Sequence, residues 1–123
     1  MNIVRTSGAP APKGPYSQGR KGGGLVFVAG QGPFDATGKM LGSTIEEQTR
    51  ATLENVKAIV EAAGATLADV VKVNVYLSDL AHFAAMNEVY ASFFAEPYPA
   101  RTTVQAGLLG FLVEIDAIAA LPE

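Results

Sequence analysis

From Asp69 to Leu77 apolar side chains fall at Val71, Val73, Val75 and Leu77, and this period of two marks a strand. Upstream, Leu25 to Ala29 (Leu-Val-Phe-Val-Ala) is a continuous apolar run bounded by glycines and reads as a buried strand. Between the two the spacing becomes helical: Ile45, Leu53, Val56, Ile59, Val60 and Ala63 share one face, and Gly64 supplies the stop. Ser43 with Glu46, or Thr44 with Glu47, offers a capping box at the start of that helix. Ser78 or Asp79 caps a second helix that carries Phe83, Met86, Val89, Tyr90 and Phe93 on one face and ends before Pro97 and Pro99.

The flanking segments complete the order. Asn2 to Arg5 is a short strand, Gly8 to Gly14 an extended loop, and Arg20 and Lys21 end a second strand ahead of the turn Gly22 to Gly24. A further turn spans Asp35 to Gly38. Near the end, Arg101 to Ala106 and Leu112 to Ala119 read as two strands joined by a turn at Gly107 to Gly110. Strands, helix, strand, helix, strand, strand predict an α+β fold of two layers, with two helices on one face of a mixed sheet. The 123 residues hold no internal repeat and no shift to linker composition, so one domain is expected over 1–123.

Hydrophobic residues make up 49% of the chain and charged ones only 17%, which leaves little with which to cover a small monomer and points to self-association. Nine Lys and Arg against twelve Asp and Glu, with no block of like charge, lack the clustered cations that phosphate binding needs, so nucleic acid is not an expected partner. The absence of cysteine excludes disulfides, thiolate catalysis and Cys-ligated zinc. No stretch approaches the apolar length of a membrane span, and Met1 to Gly14 lacks the apolar run of a signal peptide. A soluble cytoplasmic protein is expected, with no membrane partner.

Familiar catalytic constellations are missing. Gly22 to Gly24 lead into a strand and not a helix, so neither a dinucleotide fingerprint nor a P-loop is present. His82 is the only histidine, which rules out a His-rich metal site, and its place at the start of the second helix suits a capping or solvated role. Arg101 is the last cation of the chain, in an otherwise uncharged strand, and shares a face with Thr103 and Gln105. In the next strand Glu114 and Asp116 share a face. With a hairpin between these strands, Arg101 lies opposite Asp116 and Thr103 opposite Glu114, or, with a tighter turn, Arg101 opposite Glu114. A guanidinium grips a carboxylate ligand through two parallel hydrogen bonds and a nearby Glu can activate water. The same spacing also suits a plain ion pair across a solvent face.

Gly14-Pro15-Tyr16-Ser17-Gln18, Val28-Ala29-Gly30-Gln31, Asn55-Val56-Lys57-Ala58-Ile59, Asn87-x-x-Tyr90-x-x-Phe93-Phe94, and Pro99-Ala100-Arg101 ahead of Val113-Glu114-Ile115 together resemble the Rid (YjgF) family, nearest its RidA-type enamine/imine deaminases. The resemblance covers nearly the whole chain in the same order. It implies a chorismate-mutase-like α+β fold, a homotrimer with ligand clefts between subunits, no cofactor, no metal and no stable protein partner other than its own copies. It also implies a 2-imino acid substrate, formed from an enamine, that water converts to a 2-keto acid and ammonia. Carried over residue by residue, Arg101 holds the substrate carboxylate and Glu114 places or activates the water. Tyr16, Asn87 and Thr103 line the cleft, and Gly30 offers backbone contact. A trimer that only binds small carboxylates, and an RNA-cleaving translation inhibitor, are the alternatives. The stretch from Arg101 to Glu114 is shorter by about two residues than the resemblance leads one to expect, which bears on substrate preference while keeping side-chain parity.

Overall fold

The computed structural model describes residues 2–122. The expected domain of 1–123 therefore includes two residues, Met1 and Glu123, that lie outside the described ones. Gly23 and Gly24 adopt φ of 60° and 77°, the left-handed pair that a two-residue hairpin requires, and so join β2 (Gly19–Gly22) to β3 (Leu25–Gln31). β1 (Ile3–Val4) pairs with the far side of β2. Within β3 only alternate residues are covered. Val26 and Val28 enter the core while Phe27 is 45% exposed, so the run expected to be buried throughout is buried on one face.

α1 (Ile45–Ala62) begins with the second of the two possible capping boxes: the Glu47 amide donates to Thr44 Oγ1 and the Thr44 amide to Glu47 Oε1, both at 3.1 Å. It ends on Gly64, φ 93°, where the Ala65 and Gly64 amides reach back to the Val60 and Glu61 carbonyls in a Schellman closure. Leu53, Val56, Ile59 and Val60 face the sheet and are fully buried. β4 (Val70–Leu77) buries Val73, Val75 and Leu77, but a register shift between Val70 and Lys72 turns Val71 outward, against the simple alternation. A short 3-10 turn, Leu80–His82, capped by Asp79, leads into α2 (Phe83–Phe93).

β5 (Ala100–Gln105) pairs parallel to β4, and β6 (Val113–Ala120) pairs antiparallel to both β3 and β4. The sheet order is β1-β2-β3-β6-β4-β5. The expected hairpin between the last two strands is therefore not formed, because β4 lies between them. The physical reason is visible in their side chains. β6 buries Val113, Ile115, Ala117 and Ala119 and suits a central place, whereas the polar β5 has no fully buried residue and suits an edge. α2 crosses over between β4 and β5, which makes that pair parallel.

Both helices cover one face of the sheet, as the pattern predicts. The other face, carrying Phe27, Asn74, Tyr76, Val104, Glu114 and Asp116, is bare in the single chain, and Val104 is 41% exposed.

Candidate active site

Arg101 pairs in register with Val73, a core residue, and so points to the helix side of the sheet. There its Cζ stands 4.7 Å from the centre of the Tyr90 ring and 5.6 Å from that of Phe83. Phe83, Asn87 and Tyr90 recur at helical spacing, so α2 presents them on one side, and the two rings hold the guanidinium by cation–π attraction. Asn87 Oδ1 and the Tyr90 hydroxyl are buried without a hydrogen-bond partner. Burial pushes the Tyr90 hydroxyl's pKa up, and the Arg101 cation draws it part of the way back. Arg101, Asn87, Tyr90, Tyr98 and Pro99 line an open hollow of about 440 Å³. Unpaired buried polar atoms beside a cation suit an anionic ligand with a hydrogen-bonding neighbour.

Glu114 pairs with Tyr76 on the opposite face of the sheet. Gly30, where β3 shifts register against β6, lies directly against it: a β-carbon on Gly30 would come within 2.5 Å of Glu114 Oε2. Any side chain there displaces the carboxylate. Burial and, to a lesser degree, the Asp116 charge raise the Glu114 carboxyl above its ordinary range. Asp116 itself is engaged, accepting from Asn74 Nδ2 at 2.8 Å and from the Tyr76 hydroxyl at 2.9 Å, so of the two acids Glu114 is the one free to act on a ligand. Glu114 opens onto a second hollow of about 450 Å³, walled by Tyr16, Gly30, Phe34, Leu109 and Phe111.

Buried amides fix the loops around this second hollow. The Gln18 side chain donates to the Thr6 and Pro10 carbonyls and accepts from the Thr6 amide, tying down the N-terminal loop. That loop places Tyr16, whose hydroxyl accepts from the Lys13 amide at 3.2 Å. Asn55 of α1 donates to the Gly32 and Phe34 carbonyls at 3.0 and 2.7 Å. Gln48 accepts from the Leu112 amide at 2.8 Å, which anchors the loop 106–112.

Two of the residues expected at the site, Arg101 and Asn87, thus meet in one hollow, and Tyr16, Gly30 and Glu114 meet in the other. Thr103 lies two positions along β5 on the Arg101 face, in register with Val75, and lines neither. The expected juxtapositions of Arg101 with Asp116 or Glu114, and of Thr103 with Glu114, do not occur: the side chains project from opposite faces of strands separated by β4. Helical periodicity assigns Phe83 and Tyr90 to the packing face of α2, and their role in holding Arg101 was missed because that pairing depends on where β5 docks. Phe34, Leu109 and Phe111 were missed too, since nothing in their spacing links them to Glu114. Among the described residues no cluster of His, Cys, Asp and Glu is placed to hold a metal, and no helix is long and apolar enough to cross a membrane.

Residues 6–121 match the family model described as Endoribonuclease L-PSP. A RutC family protein of Pyrococcus horikoshii is 52% identical over 120 residues, covering 95% of each chain. The protein named Reactive Intermediate Deaminase A, chloroplastic, of Arabidopsis thaliana is 43% identical over 122 residues, 97% of this chain and 65% of that one, and its chloroplast location means that family membership assigns no compartment. The crystal structure of E. coli TdcF with bound serine superposes with a TM-score of 0.91 at 43% identity, covering 99% of this chain and all of that one. By its matched length, its relatives and its fold, the chain belongs to the Rid (YjgF) family.

Proposed function

We propose that this chain is a deaminase that hydrolyses short 2-imino acids, and the enamines that tautomerise to them, to 2-keto acids and ammonia in clefts shared by neighbouring copies of a homotrimer. The separation of Arg101 from Glu114 carries the reading: each stands at an open hollow, and neither hollow has both the guanidinium and the free acid, the cation lining the Glu114 hollow being Lys13. A head-to-tail ring of three copies brings the Arg101 hollow of one protomer to the Glu114 hollow of the next and closes on itself. The bare sheet face supports the same assembly, since Phe27 and Val104 stay open to water until another copy covers them. The deaminase name of the Arabidopsis relative supports the reaction class, and the serine in TdcF supports a small amino-acid-like ligand.

The chemistry follows from these side chains. Arg101 binds the substrate carboxylate by its fork of N–H donors and offsets the negative charge that repels an oxygen nucleophile. Asn87 and Tyr16 orient the ligand. Glu114, ionised, takes a proton from water as the water oxygen bonds to the imine carbon, and passes it to the nitrogen, to which the π pair moves. In the resulting carbinolamine Glu114 takes the hydroxyl proton and delivers it to the departing nitrogen, so that the C–N bond breaks, ammonia leaves and a C=O bond remains. One imine and one water give one keto acid and one ammonia. Positioning supplies most of the acceleration, because an imine carbon beside a carboxyl group is already electrophilic.

The family model's description carries a competing reading, RNA cleavage. Against it stand the net charge of -3 and the placement of His82, the only imidazole, outside both hollows. The test couples a threonine dehydratase to keto-acid and ammonia release, with uncatalysed imine decay as background and a single-stranded RNA as a parallel substrate. Wild type is expected to accelerate imine decay and to leave RNA intact. Arg101→Ala is expected to abolish the acceleration. Glu114→Gln is expected to slow turnover about a hundredfold while 2-keto acids still raise its Tm. Unchanged turnover in both variants overturns the assignment, and keto-acid binding by a wild type without turnover turns the reading into a carboxylate-binding module.

A further inference from the structure

The guanidinium of Arg101 is held by rings and not by a counter-ion. Its Cζ lies 4.7 Å from the centre of the Tyr90 ring, and no acid is among the described residues that line the hollow around it. A ring face attracts a cation without neutralising it, so the charge and the fork of N–H donors are left for a ligand. The ring itself is fixed. Tyr90 is 6% exposed, and the buried Phe94 packs on it with ring centres 4.6 Å apart and planes tilted by 34°.

That packing and the hold on Arg101 need only the ring, and a phenylalanine would supply both. The Tyr90 hydroxyl adds a buried polar group with no hydrogen-bond partner, which by itself only destabilises the chain. Asn87 Oδ1, one turn earlier on α2, is the other unpartnered atom beside the cation, but it has only lone pairs to offer. The hydroxyl has a proton to give. The Arg101 cation is near enough to it to offset part of the burial that raises its pKa, so an anion in the guanidinium's fork comes within its reach.

We propose that Tyr90 is a second donor to the carboxylate that Arg101 grips, its hydroxyl bonding one carboxylate oxygen while the guanidinium holds the anion. The inference rests on the deaminase reading above for the ligand's identity as a 2-imino acid, and the 2-keto product, with the same carboxylate, is held in the same way. A hydrogen bond to a charged acceptor is stronger than one between neutral groups, and this one relieves the desolvation of the hydroxyl as well. The carboxylate does not react, so the bond is alike in the bound substrate and in the transition state. Tyr90 therefore acts on KM and leaves kcat alone.

The experiment titrates 2-oxobutanoate calorimetrically into wild type and Tyr90→Phe, and records the thermal unfolding of both proteins without ligand. Tyr90→Phe is expected to weaken the Kd by at least about tenfold. Its Tm is expected to be no lower than that of wild type, because the substitution removes a group that has no partner until ligand binds. In the coupled dehydratase assay its KM rises by a similar factor while kcat stays within about twofold. An unchanged Kd and KM in folded Tyr90→Phe, or a lowered Tm with an unchanged Kd, overturns the second donor and leaves the deaminase reading intact. The expected loss of binding in a protein whose wild type shows no turnover keeps the donor and overturns the deaminase reading. A wild type that neither binds 2-oxobutanoate nor accelerates imine decay overturns both.

Discussion

The Gly30 α-carbon and the Glu114 carboxylate are in contact so close that a methyl group on the former would lie 2.5 Å from Oε2 of the latter. The glycine is there for space and not for backbone freedom, since its φ is not in the left-handed region. Gly30→Ala is therefore expected to push the carboxylate off its position and lower kcat for imine hydrolysis about a hundredfold, the lower end of what general-base catalysis contributes. Thermal unfolding and steady-state kinetics check this together: a folded variant with wild-type kcat would show that Glu114 does not act from where it stands.

In the proposed mechanism Glu114 also ties activity to pH. Burial and then Asp116 raise its carboxyl in the native state, so the folded protein holds that proton more tightly than the unfolded chain does. The effect on stability is absent below the unfolded value and becomes a penalty as pH rises through the native one. Glu114→Gln should accordingly raise Tm at pH 7, and the gain should shrink as pH falls toward about 4.3, the ordinary glutamate value. Turnover, which needs the ionised base, should fail as acid passes through the raised value. Asp116→Asn, by removing the neighbouring charge, should move that acid limb to lower pH. A limb that stays in place in Asp116→Asn would contradict this electrostatic account.

A third expectation concerns the fold alone. Thr52 of α1 is fully buried and its hydroxyl has no partner, so the chain carries the desolvation cost of that oxygen with no bond to offset it. Thr52→Val should raise unfolding free energy by roughly 1 kcal/mol, read from the denaturation midpoint at constant m-value. A loss of stability would mean that the hydroxyl is engaged in the assembled protein.

Most of the architecture was legible because it is set locally. The capping box at Thr44 and Glu47, the glycine stop at Gly64, the Gly23-Gly24 turn and the alternation of Val73, Val75 and Leu77 each depend on residues near in sequence. The order of the last two strands was not, because a short glycine-containing connection suits a hairpin equally well. Only the competition between a polar Ala100–Gln105 and an alternating Val113–Ala120 for the central place decides it. The same long-range choice decided the site. Family resemblance marked Arg101 and Glu114, but which face each occupies follows from β4 lying between them, and the rings of Phe83 and Tyr90 find Arg101 only once β5 docks beside β4.

Subunit complementation tests the proposed trimer and its shared cleft most directly. Arg101→Ala, expected to be inactive alone, and Glu114→Gln, expected to be slowed about a hundredfold alone, are co-expressed or refolded together so that their protomers mix in the proposed trimer. If Arg101 of one copy works with Glu114 of its neighbour, random assortment restores an intact pair at about one quarter of the clefts, and the mixture should recover about that share of wild-type kcat. A mixed trimer no more active than its two parents would place both residues in a site built by a single chain and contradict the account.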